Sequence, residues 1–145
     1  MRRLLIAMRT TTSIVVASLL VAACVPVPHH HYFAPQVTGF VLNGGVPVAN
    51  AEIVLTGRYT NHTATMRSDG QGHFKIGPLA ELEFAQWLMG DPLFGYSLNF
   101  TVDNQTYLGL SESSVGYVPT KIEVKCDLSH PIGTGRTPVF CSHSN

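Results

Sequence analysis

From about residue 36 onward, apolar and polar residues alternate in short runs separated by Gly, Pro and Asn. This is the period of half-buried strands. Residues 37–42 predict a first strand, and Asn43-Gly44-Gly45 a turn after it. Residues 51–55 predict a second strand, with Ala51, Ile53 and Leu55 on one face. Residues 62–67 predict a third, and residues 72–76 a fourth with Phe74 and Ile76 inward. Tyr96, Leu98, Phe100 and Val102 alternate with Ser97, Asn99, Thr101 and Asp103, the cleanest pattern in the chain. Residues 105–110 follow a short turn and should pair back as a hairpin. Ile122, Val124 and Cys126 alternate with Lys121, Glu123, Lys125 and Asp127. Seven short strands with polar outer faces predict an all-β, two-sheet sandwich.

One segment breaks the period. In GPLAELEFAQWLMGDP, Pro78 stands near a start, Glu81 and Glu83 fall in a first turn, and Gly90 and Pro92 mark a stop. These signals predict a short inserted helix over about 79–89. Its apolar residues cover more than one narrow stripe. The helix either packs over one end or edge of the sandwich, or leaves Phe84 or Trp87 open to a partner.

The N-terminus has a different layout. Arg2, Arg3 and Arg9 precede an uncharged apolar run over 12–23, and Ala22 and Ala23 precede Cys24. That is the layout of a secretory signal peptide, and the run is short of the roughly 20 residues of a membrane span. Val21-Ala22-Ala23-Cys24 resembles the lipobox of bacterial lipoproteins. The resemblance implies removal of 1–23 and lipidation of Cys24, with palmitate among the acyl groups expected. Each buried methylene contributes about 0.8 kcal/mol, so several acyl chains anchor stably. Val25, where many inner-membrane lipoproteins carry Asp, favours the outer membrane and a periplasm-facing domain. Without the three leader arginines, six Lys and Arg remain against nine Asp and Glu, a formal −3. No basic patch points to nucleic acid. The membrane is reached through the lipid.

Residues 24–35 (CVPVPHHHYFAP) read as a lipidated Pro- and His-rich tether, kept extended and out of any sheet by three prolines. His29, His30 and His31 invite a metal reading. Adjacent histidines on a linker, with no second ligand cluster nearby, make no defined site. A solvated spacer is expected, with no metal and no cofactor.

Residues 36–128 read as the sandwich domain, and about its first 40 residues carry a second resemblance, the remainder following only by strand pattern. The stretch Gly39-Phe40-Val41, then Asn43-Gly44-Gly45, Pro47-Val48 and a strand opening at Ala51, is similar to the start of carboxypeptidase regulatory-like domains. Ser68-Asp69-Gly70-Gln71-Gly72-His73-Phe74 resembles their second signature. The likeness implies an Ig-like or transthyretin-like (prealbumin-like) β-sandwich. The roles read directly from the residues are folding roles. Glycines permit tight turns. Asp69 can accept hydrogen bonds from turn amides before Phe74 enters the core.

Cys126 and Cys141 remain once Cys24 is assigned to lipid. Export favours their pairing, which would pin the tail 129–145 to the last strand. A reactive Cys–His couple with His130 or His143 has no supporting motif. Hydrolase elbows, zinc-protease motifs, phosphate loops and zinc cysteine clusters are all missing. Glu81 and Glu83 make no acid/base pair, and no catalytic residue is assigned. The expected function is a non-enzymatic binding or accessory module with a protein or glycan partner. An accessory subunit of an envelope or secretion assembly is one alternative. A small metal-binding protein or enzyme using His29–His31 with His62 or His73 is the other.

Overall fold

The computed structural model describes residues 28–84, 93–132 and 137–144. Residues 30–81 and 88–145 make one compact unit, and residues 1–29 with 82–87 another. Of the second unit, residues 28–29 and 82–84 are described, and both stretches are strand.

Eleven strands occur among the described residues: β1 (Pro28–Ala34), β2 (Gln36–Asn43), β3 (Val46–Pro47), β4 (Glu52–Gly57), β5 (Thr63–Arg67), β6 (His73–Ile76), β7 (Leu79–Phe84), β8 (Leu93–Val102), β9 (Gln105–Val115), β10 (Lys121–Asp127) and β11 (Cys141–His143). All seven expected strands are present, as β2, β4, β5, β6, β8, β9 and β10. The β8–β9 hairpin forms as its pattern predicts, with a bulge at Leu98/Asn99.

Three sheets result. One runs β11-β10-β2-β3, with β6 also on β2. In it β2 and β10 pair in parallel from Lys121↔Gln36 to Asp127↔Leu42. A second runs β5-β4-β8-β9, and β1 with β7 makes a third. The two larger sheets feed one hydrophobic core. Val37, Val41, Phe74, Ile76 and Val124 come from the first, and Ile53, Leu55, Tyr96, Leu98 and Phe100 from the second. Phe74 meets Phe100 edge-on with ring centroids 5.6 Å apart. The all-β, multi-sheet arrangement is consistent with a sandwich, whose inner faces come from alternate residues of each strand.

The inserted helix is a correction. Leu79–Phe84, expected as its first half, is strand β7, and the described residues contain no helix. Residues 85–89 lie outside the described residues. The physical reason is that the segment LAELEF also alternates, with Glu81 and Glu83 sharing a strand face. Pairing with β1 supplies its backbone with partners, and such tertiary context overrides helix propensity.

The tether is the second correction. Residues 28–34 are not a solvated spacer but strand β1, and Ala34 and Pro35 are fully buried. Pro28 takes the first strand position, where a missing N–H is tolerated. Pro35 falls between β1 and β2. Prolines at these two positions interrupt no ladder bond.

Turn chemistry follows the residues. Gly44 and Gly45 have φ of 62° and 83°, the left-handed region the turn requires. Asp69 Oδ1 accepts from the amides of His73 and Gln71, each at 2.8 Å. Those bonds hold its carboxyl below the usual value, the His73 amide contributing most. Asp69 is a turn-former, as its place before Phe74 predicts.

Candidate functional site

The larger unit carries an aromatic groove of about 210 Å³. β1 lends it His31, Tyr32 and Phe33, the turn after β4 lends Tyr59 and Thr60, and the start of β8 lends Leu93, Phe94 and Gly95. Tyr59 is 59% exposed and Leu93 65% exposed. These are large apolar surfaces left to solvent where the sheet could have covered them.

One wall is a stack of rings. Phe33 lies flat on His62, with centroids 4.5 Å apart at 16°, and tilts against His31 at 4.8 Å. His62 is held in turn by Glu81, whose Oε2 lies 3.3 Å from Nε2. His62 Nδ1 is buried without a hydrogen-bond partner. The tautomer with the proton on Nε2 therefore suits both nitrogens: the proton meets Glu81, and the bare Nδ1 leaves no buried donor. Each ring of this wall packs against its neighbour.

Two further polar clusters could carry chemistry, and both resolve into structure. Tyr96 OH donates to Glu112 Oε2 at 2.5 Å, and Glu112 Oε1 lies 2.5 Å from His143 Nε2. Tyr96 is fully buried. Burial first, and the Glu112 carboxylate second, push its phenol well above the ordinary value. It keeps its proton and acts as a donor. The chain Tyr96–Glu112–His143 links β8 and β9 of one sheet to β11 of the other, so it works as a polar clasp.

The second cluster contains Asp127, Ser129 and His130, the residue types of a nucleophilic triad. The geometry is that of a turn. Ser129 Oγ donates its only proton to Asp127 Oδ1 at 2.7 Å and accepts from the Gly44 amide at 2.9 Å. His130 Nδ1, 2.6 Å from the same oxygen, must then be a donor. The Ser129 proton points at the Asp127 carboxylate rather than at a histidine nitrogen, which is not the serine-to-histidine arrangement of a triad. The cluster ties the end of β10 to the β2–β3 turn.

Asp127 gives a pH prediction. The Ser129 hydroxyl, followed by the Ser129 and Gly44 amides and His130, lowers its carboxyl from 3.8 to about 2. A carboxylate whose folded pKa is depressed stabilises above its unfolded pKa and loses that contribution as pH falls. The stability difference between wild type and Asp127→Asn should therefore be constant above about pH 4 and shrink as pH falls toward about 2. Urea melts across that range check this. A difference that does not change with pH would remove Asp127 as the titrating group.

The other predicted site residues divide clearly. Cys126 and Cys141 are joined in a disulfide and face each other across the β10–β11 ladder. Neither of these two sulfurs is a free thiol for a Cys–His couple. Cys24, Trp87 and the side chain of Phe84 lie outside the described residues. His30 and His31 are successive residues of β1 and so lie on opposite faces of the strand, and the side chain of His29 lies outside the described residues. His73 sits on the outer face, 3.8 Å from Asp69. Among the described residues no three His, Cys, Asp or Glu side chains are grouped to hold a metal ion.

Sequence reasoning missed the groove. Its signals were the Tyr32-Phe33 pair, placed in a tether, and Tyr59, an aromatic in a turn. No family model matches the chain, and no curated protein matches it.

Proposed function

We propose that the chain is a non-enzymatic binding module, held on the cell envelope through a lipid on Cys24 and facing the periplasm from the outer membrane. The observation that carries the binding role is the aromatic groove, with Tyr59 and Leu93 exposed beside the fixed Phe33–His62 wall. Solvent-facing aromatic surface of this kind marks contact sites more often than packing. The two resemblances, to the lipobox and to the regulatory-like domain, support the tether and a transthyretin-like sandwich. In that reading the domain contributes recognition rather than bond chemistry, alone or as an accessory subunit of an envelope assembly.

The anchor is tested by Cys24→Ser in cells. Wild type should be cut before Cys24, take up labelled palmitate and sediment with membranes. The variant should keep its leader and incorporate no label. A Cys24→Ser protein that is processed and retained like wild type would overturn the tether.

A further inference from the structure

Asn43 is the one asparagine of the chain followed by glycine. It ends β2 at an exposed position and pairs with Val46 across the turn. Gly44 carries no side chain to hinder an approach to its amide nitrogen. An Asn-Gly bond is therefore open to attack by its own backbone. The Gly44 nitrogen, after giving its proton to solvent hydroxide, bonds to Asn43 Cγ. The Cγ–Nδ2 bond breaks, and Nδ2 takes a proton from water and leaves as ammonia. Water then opens the resulting succinimide at either carbonyl, leaving aspartate or isoaspartate. The only reactants are the chain and water.

In the folded chain that nitrogen is engaged. The Gly44 amide donates to Asp127 Oδ1 and to Ser129 Oγ, each at 2.9 Å. These acceptors lie 83 and 85 residues away in sequence, so only the assembled sheet supplies them. Asp127 Oδ1 is itself fixed by the Ser129 amide at 3.1 Å and the Ser129 hydroxyl at 2.7 Å. The Leu128 amide donates to the Leu42 carbonyl at 2.8 Å, which ties the two strands beside the turn. Two effects follow. Removing the Gly44 proton would set a negative nitrogen against the Asp127 carboxylate, and a neighbouring like charge disfavours that ionisation. Closing the five-membered ring also requires the peptide plane to rotate about the Asn43 Cα–C bond. Both hydrogen bonds and the pairing with Val46 resist that rotation.

We propose that Asn43–Gly44 is a deamidation site held shut by the Asp127–Ser129 cluster. The cluster that ties β10 to the β2–β3 turn thereby also guards the chain's one Asn-Gly bond. Conversion runs one way. It adds a carboxylate next to the amide that Asp127 holds, and isoaspartate adds a methylene to the main chain of a turn whose glycines sit at φ of 62° and 83°.

The test follows Asn43 in the purified full-length chain by peptide-level mass spectrometry during incubation in mildly alkaline buffer. A capped peptide of residues 42–46 gives the unguarded rate. The folded chain should react at least about tenfold more slowly than the peptide, the factor that one hydrogen bond to a charged group supplies. Asp127→Ala should speed the reaction about tenfold while still melting cooperatively. Ser129→Ala removes the second acceptor and a bond that fixes Asp127, so it should accelerate the reaction as well, and it carries the comparison if Asp127→Ala does not fold. Ile53→Ala truncates a fully buried side chain of the other sheet and controls for lost stability as such. Its Asn43 should react at the wild-type rate. Folded wild type reacting as fast as the peptide would overturn the guard, and so would a wild-type rate in both cluster variants. An Ile53→Ala rate equal to that of the cluster variants would also overturn it, because opening of the whole domain would then set the rate.

Discussion

Gly39→Ala is expected to destabilise the domain by about 3 kcal/mol, the upper end of overpacking costs, and to lower the melting temperature by roughly 10 °C. A Cβ on Gly39 would stand 2.1 Å from the Val124 carbonyl oxygen and 2.9 Å from Val124 Cγ2. The nearest obstacle is backbone, in the centre of the parallel β2–β10 pair, where Gly39 and Val124 are register partners. A flexible side chain could swing aside, but a laddered carbonyl can move only if the pairing of β2 with β10 or β6 adjusts. Gly70→Ala is the matched control. It lies in the turn before β6 and a Cβ there would meet nothing within 4 Å. Its φ is not positive, so alanine should be neutral or slightly stabilising through the unfolded chain. Thermal melts of both variants check the pair. A Gly39→Ala protein that melts with wild type would show that β2 and β10 are not held at this distance.

The same glycine shows what could be read in advance and what could not. The spacing of Gly39 and Val41 ahead of a glycine turn suggested the resemblance, and the turn itself is present at Gly44 and Gly45. Why position 39 excludes a side chain depends on β10, more than 80 residues away, and no local pattern states that. Strands with clean alternation were legible because one face is buried: Ile53, Leu55, Leu98 and Phe100 are fully buried as the period requires. Residues 79–84 were not, since a short stretch of Leu, Ala and Glu fits either period and its pairing with β1 decided the outcome. β1 escaped because prolines and histidines resemble a linker. Its two bracketing prolines, Pro28 and Pro35, occupy positions that cost no ladder bond. The groove draws on residues near 32, 59 and 94, so it exists only once the sheets are assembled.

Replacing both Cys126 and Cys141 by alanine should cost about 3 kcal/mol on the chain-entropy account of a loop this long, again roughly 10 °C in melting temperature. The pairing was anticipated from export and cysteine number, and the structure adds where its loss would be felt. The bond closes a separation of 15 residues and is buried, with Cys126 wholly inaccessible. A Cβ on Gly109 would approach Cys141 Sγ to 2.8 Å, so this sulfur fills space that the glycine leaves on β9. The neighbouring amide of Phe140 donates to the Leu108 and Gly109 carbonyls, and the Phe140 ring meets Tyr107 edge-on at 5.3 Å. His143 then reaches Glu112. The disulfide thus pins a short edge strand to β10 beside β9, and without it β11 would be kept by three β10–β11 register pairs, the Phe140 and Ser144 amide bonds and the His143–Glu112 contact. Hydrogen exchange should speed up first at Phe140 and across β11, with the β4–β8 ladder slower to respond. Reduction of the wild type by a permeant thiol should reproduce the melting shift. If the alanine variant melts with wild type and its β11 amides exchange no faster, the tail is held by its ladder and its contacts with β9, and the disulfide has no structural part.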